Sequence, residues 1–174
     1  MPIINKKKGI VFWITGISGS GKTTISNKIH KFIEKKYGPT LVVSGDDLRE
    51  IFNLTGYSKK KRYSIAKQYS MFCKFISNQK INLIFSTGSL FHEIHKLNRK
   101  VLSKYIEIFI NAEIKTLKKK RKKFFYKKQT KNVWGIDIIP ELPKKPDIIL
   151  DNDYKLNVKE ISNKLILKIK MLNK

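Results

Sequence analysis

The chain has 174 residues and sets 38 Lys and Arg against 13 Asp and Glu, a formal net charge of +25. This length suits one domain with a sizeable core, and a hydrophobic share of 41% excludes a disordered chain. A single cysteine, Cys73, excludes an internal disulfide, and the longest apolar run, near Ile10–Ile14, is too short to span a membrane, so a cytoplasmic protein is expected.

Gly9–Thr15, "GIVFWIT", is an apolar, β-branched and aromatic run that stops at Gly16 and reads as a buried strand. Lys22–Lys36 follows as a helix with Ile25, Ile29, Phe32 and Ile33 on one face, closed by Tyr37-Gly38-Pro39. Thr40–Val43 is a second strand. Ser64–Asn78 is a helix with a stripe of Ile65, Tyr69, Phe72 and Ile76, and Asn82–Ser86 is a third strand. Glu93–Leu102 reads as a helix, Tyr105–Ile110 as a fourth strand, and Glu113–Lys128 as a very basic helix or lid. Asp147–Leu150 is a fifth strand, and Asn157 with Glu160 caps a last helix, Val158–Leu172. Strands alternating with helices predict a single α/β domain with a five-stranded, mainly parallel sheet flanked by helices. Ligands of such sheets bind beyond the carboxyl ends of the strands.

The phosphate loop lies at the end of the first strand. Gly16-Ile17-Ser18-Gly19-Ser20-Gly21-Lys22-Thr23 fits G-x-x-x-x-G-K-[ST] in full, with a strand before it and a helix after it. Glycines let successive backbone N–H groups turn toward phosphate oxygens, and the helix N-terminus adds its positive end. Lys22 is placed to reach the β- and γ-phosphates of ATP, the hydroxyl of Thr23 to sit on Mg²⁺, and Thr24 adjoins them. The motif specifies a P-loop nucleotide-binding fold and leaves the acceptor open.

After the second strand comes Ser44-Gly45-Asp46-Asp47-Leu48-Arg49. One carboxylate there can orient an attacking hydroxyl and take its proton, and an arginine can hold an anionic acceptor through paired hydrogen bonds. The plainer reading is a turn in which Asp46 or Asp47 caps a helix carrying Leu48. Its place one strand after a complete phosphate loop favours the chemical reading.

Taken together, these stretches resemble the adenylyl-sulfate kinase family. "VFWITGISGSGKTT" is similar to that family's first strand and phosphate loop, "SGDDLRE" to its D-G-D-N-x-R, and "GYSKKKR" to its G-F-S-x-x-D-R. "YKK" and "WGIDIIPELPKKPDIILD" are similar to its lid and its T-G-I-D-x-P-Y-E-x-P segment, so the resemblance runs from about Lys8 to Asp151. It implies transfer of the γ-phosphate of ATP, with Mg²⁺, to the ribose 3′-hydroxyl of adenylyl sulfate, by an enzyme that is usually dimeric. It also implies that Asp46 receives the hydroxyl proton and that Arg49 and Arg62 grip the acceptor's anionic end. Tyr57 would stack on the acceptor base, Ser89 matches the serine of I-S-P, and Lys123 and Tyr126 fall on the lid motif K-G-L-Y. Arg121 lies on the ATP side of the lid, which spans about residues 115–137.

Departures from the family pattern cluster on the acceptor side. Ser44 and Asp47 replace an Asp and an Asn, and Ile65-Ala66-Lys67-Gln68 stands for N-I-R-R. Lys120-Arg121 stands for R-D, and the lid between Tyr126 and Gly135 is about four residues shorter than the family's. F-T-G-I-D becomes Val133-Trp134-Gly135-Ile136-Asp137, so that Val133, Trp134 and Gly135 are expected to close over the acceptor, with Trp134 or the Val133–Trp134 pair covering its base. An intact donor side with a rebuilt acceptor side implies an acceptor other than adenylyl sulfate. A kinase similar to this family phosphorylates the 3′-hydroxyl of cytidine diphosphoramidate in capsule phosphoramidate biosynthesis, and that acceptor is favoured here over adenylyl sulfate.

Two further signals carry less weight. "FHEIH" places His92 and His95 three apart without a third zinc ligand, and a surface helix is the expected reading. The charge of +25 admits a P-loop ATPase that binds nucleic acid, yet only four basic residues are arginine (Arg49, Arg62, Arg99, Arg121), and lysine-rich faces are commonly just solvated. The run Lys118–Lys123 falls in the lid, where attraction for ATP is the simpler role, so a small-molecule nucleotide is the expected partner.

Overall fold

A computed structural model describes residues 8–121 and 131–172. Its sheet has five strands: β1 (Val11–Thr15), β2 (Thr40–Ser44), β3 (Asn82–Thr87), β4 (Tyr105–Asn111) and β5 (Ile148–Asp151). They lie in the order β2-β3-β1-β4-β5, and every pairing is parallel. Every residue of β1 and β3 is buried, whereas the edge strands β2 and β5 keep exposed positions. This is the burial expected of a parallel sheet covered on both faces.

Strand side chains alternate between the faces, so β1 feeds two cores. Phe12 and Ile14 pack with Ile25, Ile29 and Ile33 of α1 (Lys22–Tyr37) and with Ile161, Leu165 and Ile169 of α6 (Val158–Met171). On the opposite face Val11 and Trp13 join Ile65, Tyr69 and Cys73 of α3 (Lys59–Asn78) and Ile94 of α4 (His92–Val101). Trp13 meets Phe85 of β3 with ring centroids 5.0 Å apart.

Helix ends follow the local chemistry. The box expected for α6 is present: the Asn157 N–H donates to Glu160 Oε2 at 2.8 Å and the Glu160 N–H to Asn157 Oδ1 at 3.0 Å. The third helix starts at Lys59, five residues before the expected Ser64, because the Ser58 side chain accepts the Lys61 N–H. The lysine run there shows no apolar periodicity to announce it. A short helix, α2 (Gly45–Ile51), follows β2 directly. In the lid region the described helix is α5 (Ile114–Arg121); the remainder of the expected helix to Lys128 lies outside the described residues.

Cys73 is fully buried, and that burial pushes its thiol well up from the ordinary range. The expected outcome with a thiol-reactive disulfide reagent at pH 8 is labelling at least about 100-fold slower in the native protein than in denaturant. Equal rates would show that α3 does not seal this core.

Candidate active site

Parallel pairing brings the loops after β1, β2 and β3 to one edge of the sheet, where they enclose a cavity of about 600 Å³. That volume suits a small-molecule site. Ser18, Gly19, Gly21, Lys22, Thr23 and Thr24 line its donor end. Helix α1 begins there with Gly21 as its N-cap and no acidic residue in its first turn, which leaves the helix N-terminus open to an anion. Lys22 Nζ reaches back across the loop to donate to the Ile17 carbonyl at 2.8 Å. Gly16 and Ser20 do not line the cavity. A Cβ at Gly16 would stand 2.5 Å from the Ile110 carbonyl oxygen, so this glycine lets the loop lie on β4, and Ser20 is fully buried beneath it.

Residues after β5 hold the loop from below. The Asn152 side-chain amide donates to the Ser20 carbonyl at 2.9 Å, and the Tyr154 hydroxyl donates to the Gly19 carbonyl. Sequence reasoning passed over both residues. Their signal was positional: "DNDY" follows the fifth strand at the carboxyl edge, where side chains meet the phosphate loop.

At the acceptor end the two adjacent carboxylates part company. Ser44, not Asp46 or Asp47, is the N-cap of α2. The Asp47 N–H donates to Ser44 Oγ at 3.1 Å and the Ser44 N–H to Asp47 Oδ2 at 2.6 Å, a reciprocal capping box. A cap of this kind contributes about 1 kcal/mol. Asp47 is thereby occupied, while Asp46 is exposed and lines the cavity, its carboxylate making no hydrogen bond or ion pair among the described residues. The Tyr69 hydroxyl donates to the Gly45 carbonyl at 2.7 Å, holding the start of α2; burial pushes this phenol up to about 12, so it stays a donor at neutral pH.

Arg49 and Arg62 converge on one ring. Their guanidinium carbons lie 4.5 and 5.1 Å from the centroid of Tyr57, which is 53% exposed. Arg49 Nη1 donates to the carbonyls of Leu54 (2.7 Å) and Gly56 (3.1 Å). Arg62 Nε donates to Tyr57 O at 2.8 Å, and its Nη2 to Asn132 O at 2.7 Å, tying α3 to the far end of the lid segment. Among the described residues neither arginine forms a salt bridge. Burial, then the neighbouring Arg49 charge, lowers the pKa of Arg62. Two cations held by neutral carbonyls at a cavity wall make a seat for an anion. Ser89 also lines the wall, its hydroxyl 2.9 Å from that of Thr87.

The segment "NVWGID" is a tight turn. Asp137 accepts the N–H groups of Asn132 and Val133, the second at 2.6 Å, and these bonds lower its pKa. Gly135 has φ +80°, and a Cβ there would stand 2.3 Å from Ile114 Cδ1. Gly135 therefore shapes the turn and does not line the cavity, whereas Asn132, Val133 and Trp134 do. The Trp134 ring, expected to cover a base, is 3% exposed, meets Phe91 edge-on at 5.2 Å and has the Arg62 guanidinium 5.7 Å away. Lys123 and Tyr126 lie outside the described residues; Arg121 ends α5, and its side chain is likewise not described.

The helix carrying "FHEIH" is not simply a surface helix. His95 is buried with its ring against the Glu107 carboxylate, and Arg99 Nη2 donates to Glu107 Oε2 at 2.8 Å. Glu107 points inward from β4, so these residues close the α4 face of the core, away from the cavity.

Comparison with known proteins agrees with this geometry. Residues 8–151 match the family described as Adenylylsulphate kinase. The cytidine diphosphoramidate kinase of Campylobacter jejuni subsp. jejuni serotype O:2 is 33% identical over 168 residues, 94% of this chain and 98% of the relative. The adenylyl-sulfate kinase of Clostridium acetobutylicum is 34% identical over 156 residues, 86% of this chain and 78% of the relative. Among solved structures, the Mycobacterium tuberculosis APS kinase in complex with AMPPNP and APS superposes with a TM-score of 0.82 at 24% identity, covering 94% of this chain and 98% of that one. With its phosphate loop, its carboxylate at the end of β2 and its match over residues 8–151, the chain belongs to the adenylylsulphate kinase family.

Proposed function

We propose that the protein is a nucleotide 3′-kinase that transfers the γ-phosphate of ATP to the ribose 3′-hydroxyl of cytidine diphosphoramidate, a step of capsule phosphoramidate biosynthesis. The observation that carries this reading is the pairing of Asp46 with the phosphate loop in one cavity that two arginines also line, none of the three forming a salt bridge among the described residues. The 33% identity to a cytidine diphosphoramidate kinase supports the choice of acceptor. Adenylyl sulfate is the second reading, supported by the family match and by the Clostridium relative.

The donor end fits ATP. Backbone N–H groups of the loop and the first turn of α1 cradle its phosphates, and Lys22 exchanges the Ile17 carbonyl for a phosphate oxygen. Arg121, at the end of α5, is assigned to the donor by the family resemblance alone. Thr23 would hold Mg²⁺ through its hydroxyl, and the ion would neutralise charge on the β- and γ-phosphates. Asp46 orients the 3′-hydroxyl and accepts its proton as the new O–P bond forms and the bond from the γ-phosphorus to the bridging oxygen breaks, releasing ADP. Lys22 stabilises charge on the transferring phosphoryl.

Arg49 and Arg62 bind the anionic end of the acceptor, with Tyr57 as a platform for its base and Val133 and Ser89 as walls. Lys123 and Tyr126 complete the cover in this reading. Tyr57 carries the stacking role because its ring is exposed, whereas Trp134 is buried. The enzyme acts in the cytoplasm, where ATP is available, and as a homodimer in keeping with the family it resembles. Among the described residues no helix is long and apolar enough to cross a membrane.

A coupled ATP-consumption assay with cytidine diphosphoramidate, CDP, UDP, ADP and adenylyl sulfate tests the acceptor. Cytidine diphosphoramidate is expected to give the highest kcat/KM; preference for adenylyl sulfate over both cytidine compounds would overturn it. Asp46→Asn is expected to lower kcat by about 100-fold or more while calorimetric affinity for a non-hydrolysable ATP analogue stays unchanged. Near-normal turnover in that variant would remove Asp46 from its role.

A further inference from the structure

Packing accounts for the Trp134 ring but not for its nitrogen. The ring lies among Phe91, Arg62 and the α3 and α4 core, yet the buried Nε1–H has no hydrogen-bond partner among the described residues. Buried donors in folded proteins are nearly always satisfied, by the protein, by water or by a ligand. The position of this one indicates which. A Cβ at Gly88 would stand 3.8 Å from Trp134 Cδ1 and 4.0 Å from Nε1, so the Cδ1–Nε1 edge of the indole faces the backbone just past β3. Gly88 and Trp134 line the same cavity as Asp46, Arg49 and Tyr57. Trp13 Nε1 is unpartnered as well, but Trp13 sits within the sheet and does not line the cavity.

We infer that the Trp134 Nε1–H donates a hydrogen bond to an oxygen of the acceptor nucleotide, which makes Trp134 a specificity-determining residue through its edge and not through its face. This rests on the reading that the cavity takes a nucleotide acceptor. Nucleotides present base carbonyl, ribose hydroxyl and phosphate oxygens, all of which can accept from an indole, a group that only donates. A site that spends a buried donor on its substrate rejects analogues that leave the donor unpaired. Val133, buried beside it and without polar side-chain atoms, contributes shape alone.

The chain has two tryptophans, so the indole nitrogens can be followed individually. In protein labelled with ¹⁵N-indole tryptophan, two Nε1–H cross-peaks are expected, assigned with Trp13→Phe. With the donor site filled by AMPPNP and Mg²⁺, titration with CDP is expected to move the Trp134 proton downfield and leave Trp13 in place. Trp134→Phe, which keeps a ring, is expected to lower kcat/KM for the acceptor about 10- to 100-fold with the KM for ATP unchanged. If that loss vanishes with a 2′-deoxy acceptor, the accepting oxygen is the 2′-hydroxyl; if it persists, it is another oxygen of the nucleotide.

A Trp134 peak moved by neither CDP nor adenylyl sulfate, in an enzyme that phosphorylates either compound, overturns the inference and leaves the kinase reading standing. A shift with adenylyl sulfate and not with CDP keeps the hydrogen bond and overturns the cytidine acceptor. Should Trp134→Phe lose its fold, as read by its melting temperature, the wild-type titration decides.

Discussion

Parallel pairing of β1 with β3 on one side and β4 on the other is the constraint on which the site depends. Parallel strands all end on one edge, so chain ends far apart in sequence are forced together there. Gly16 to Thr24 after β1, Ser44 to Arg49 after β2, Thr87 to Ser89 after β3 and Asn152 after β5 become neighbours although they span more than 130 positions of chain. The register is fixed because Phe12 and Ile14 belong to one core and Val11 and Trp13 to the other, and a slip by one residue would exchange the two sets. The donor loop thus rests on the same packing that orients the acceptor wall.

On that edge, local hydrogen bonding assigns the roles. Ser44 and Asp47 satisfy each other at the start of α2, which occupies Asp47, while Asp46 lines the cavity. Arg62 serves two ends: it is anchored to Tyr57 and Asn132 through backbone carbonyls, and it lines the cavity without a salt bridge among the described residues. The turn built by Asp137 and Gly135 fixes Asn132 where Arg62 can reach it. These contacts connect α3 with the far end of the lid segment without involving the sheet.

Much of this was legible in the sequence, because several signals there are local. The phosphate loop announces itself by spacing, and the five strands by short apolar runs; each lies within a few residues of its expected place. The two arginines stood out against lysine and do meet at Tyr57. Long-range choices were hidden. Nothing local distinguishes Asp46 from Asp47 until Ser44 is seen to cap, and nothing in "FHEIH" reveals that Glu107 points inward from β4 to meet His95. Trp134 was noticed for its face, but Arg62 and Phe91 pack around that ring, which only the tertiary structure shows. Asn152 and Tyr154 act on a loop more than 130 positions away, a contact that only the strand order supplies.

The account makes the ribose 3′-hydroxyl the group that faces Asp46. A ³¹P–¹H correlation spectrum of the product made from ATP and cytidine diphosphoramidate reads that position directly. The new phosphate is predicted to couple to H3′ of the ribose, with the phosphoramidate end unchanged. A phosphate coupled to H2′, one added to the phosphoramidate end, or release of inorganic phosphate without a phosphorylated nucleotide would contradict it.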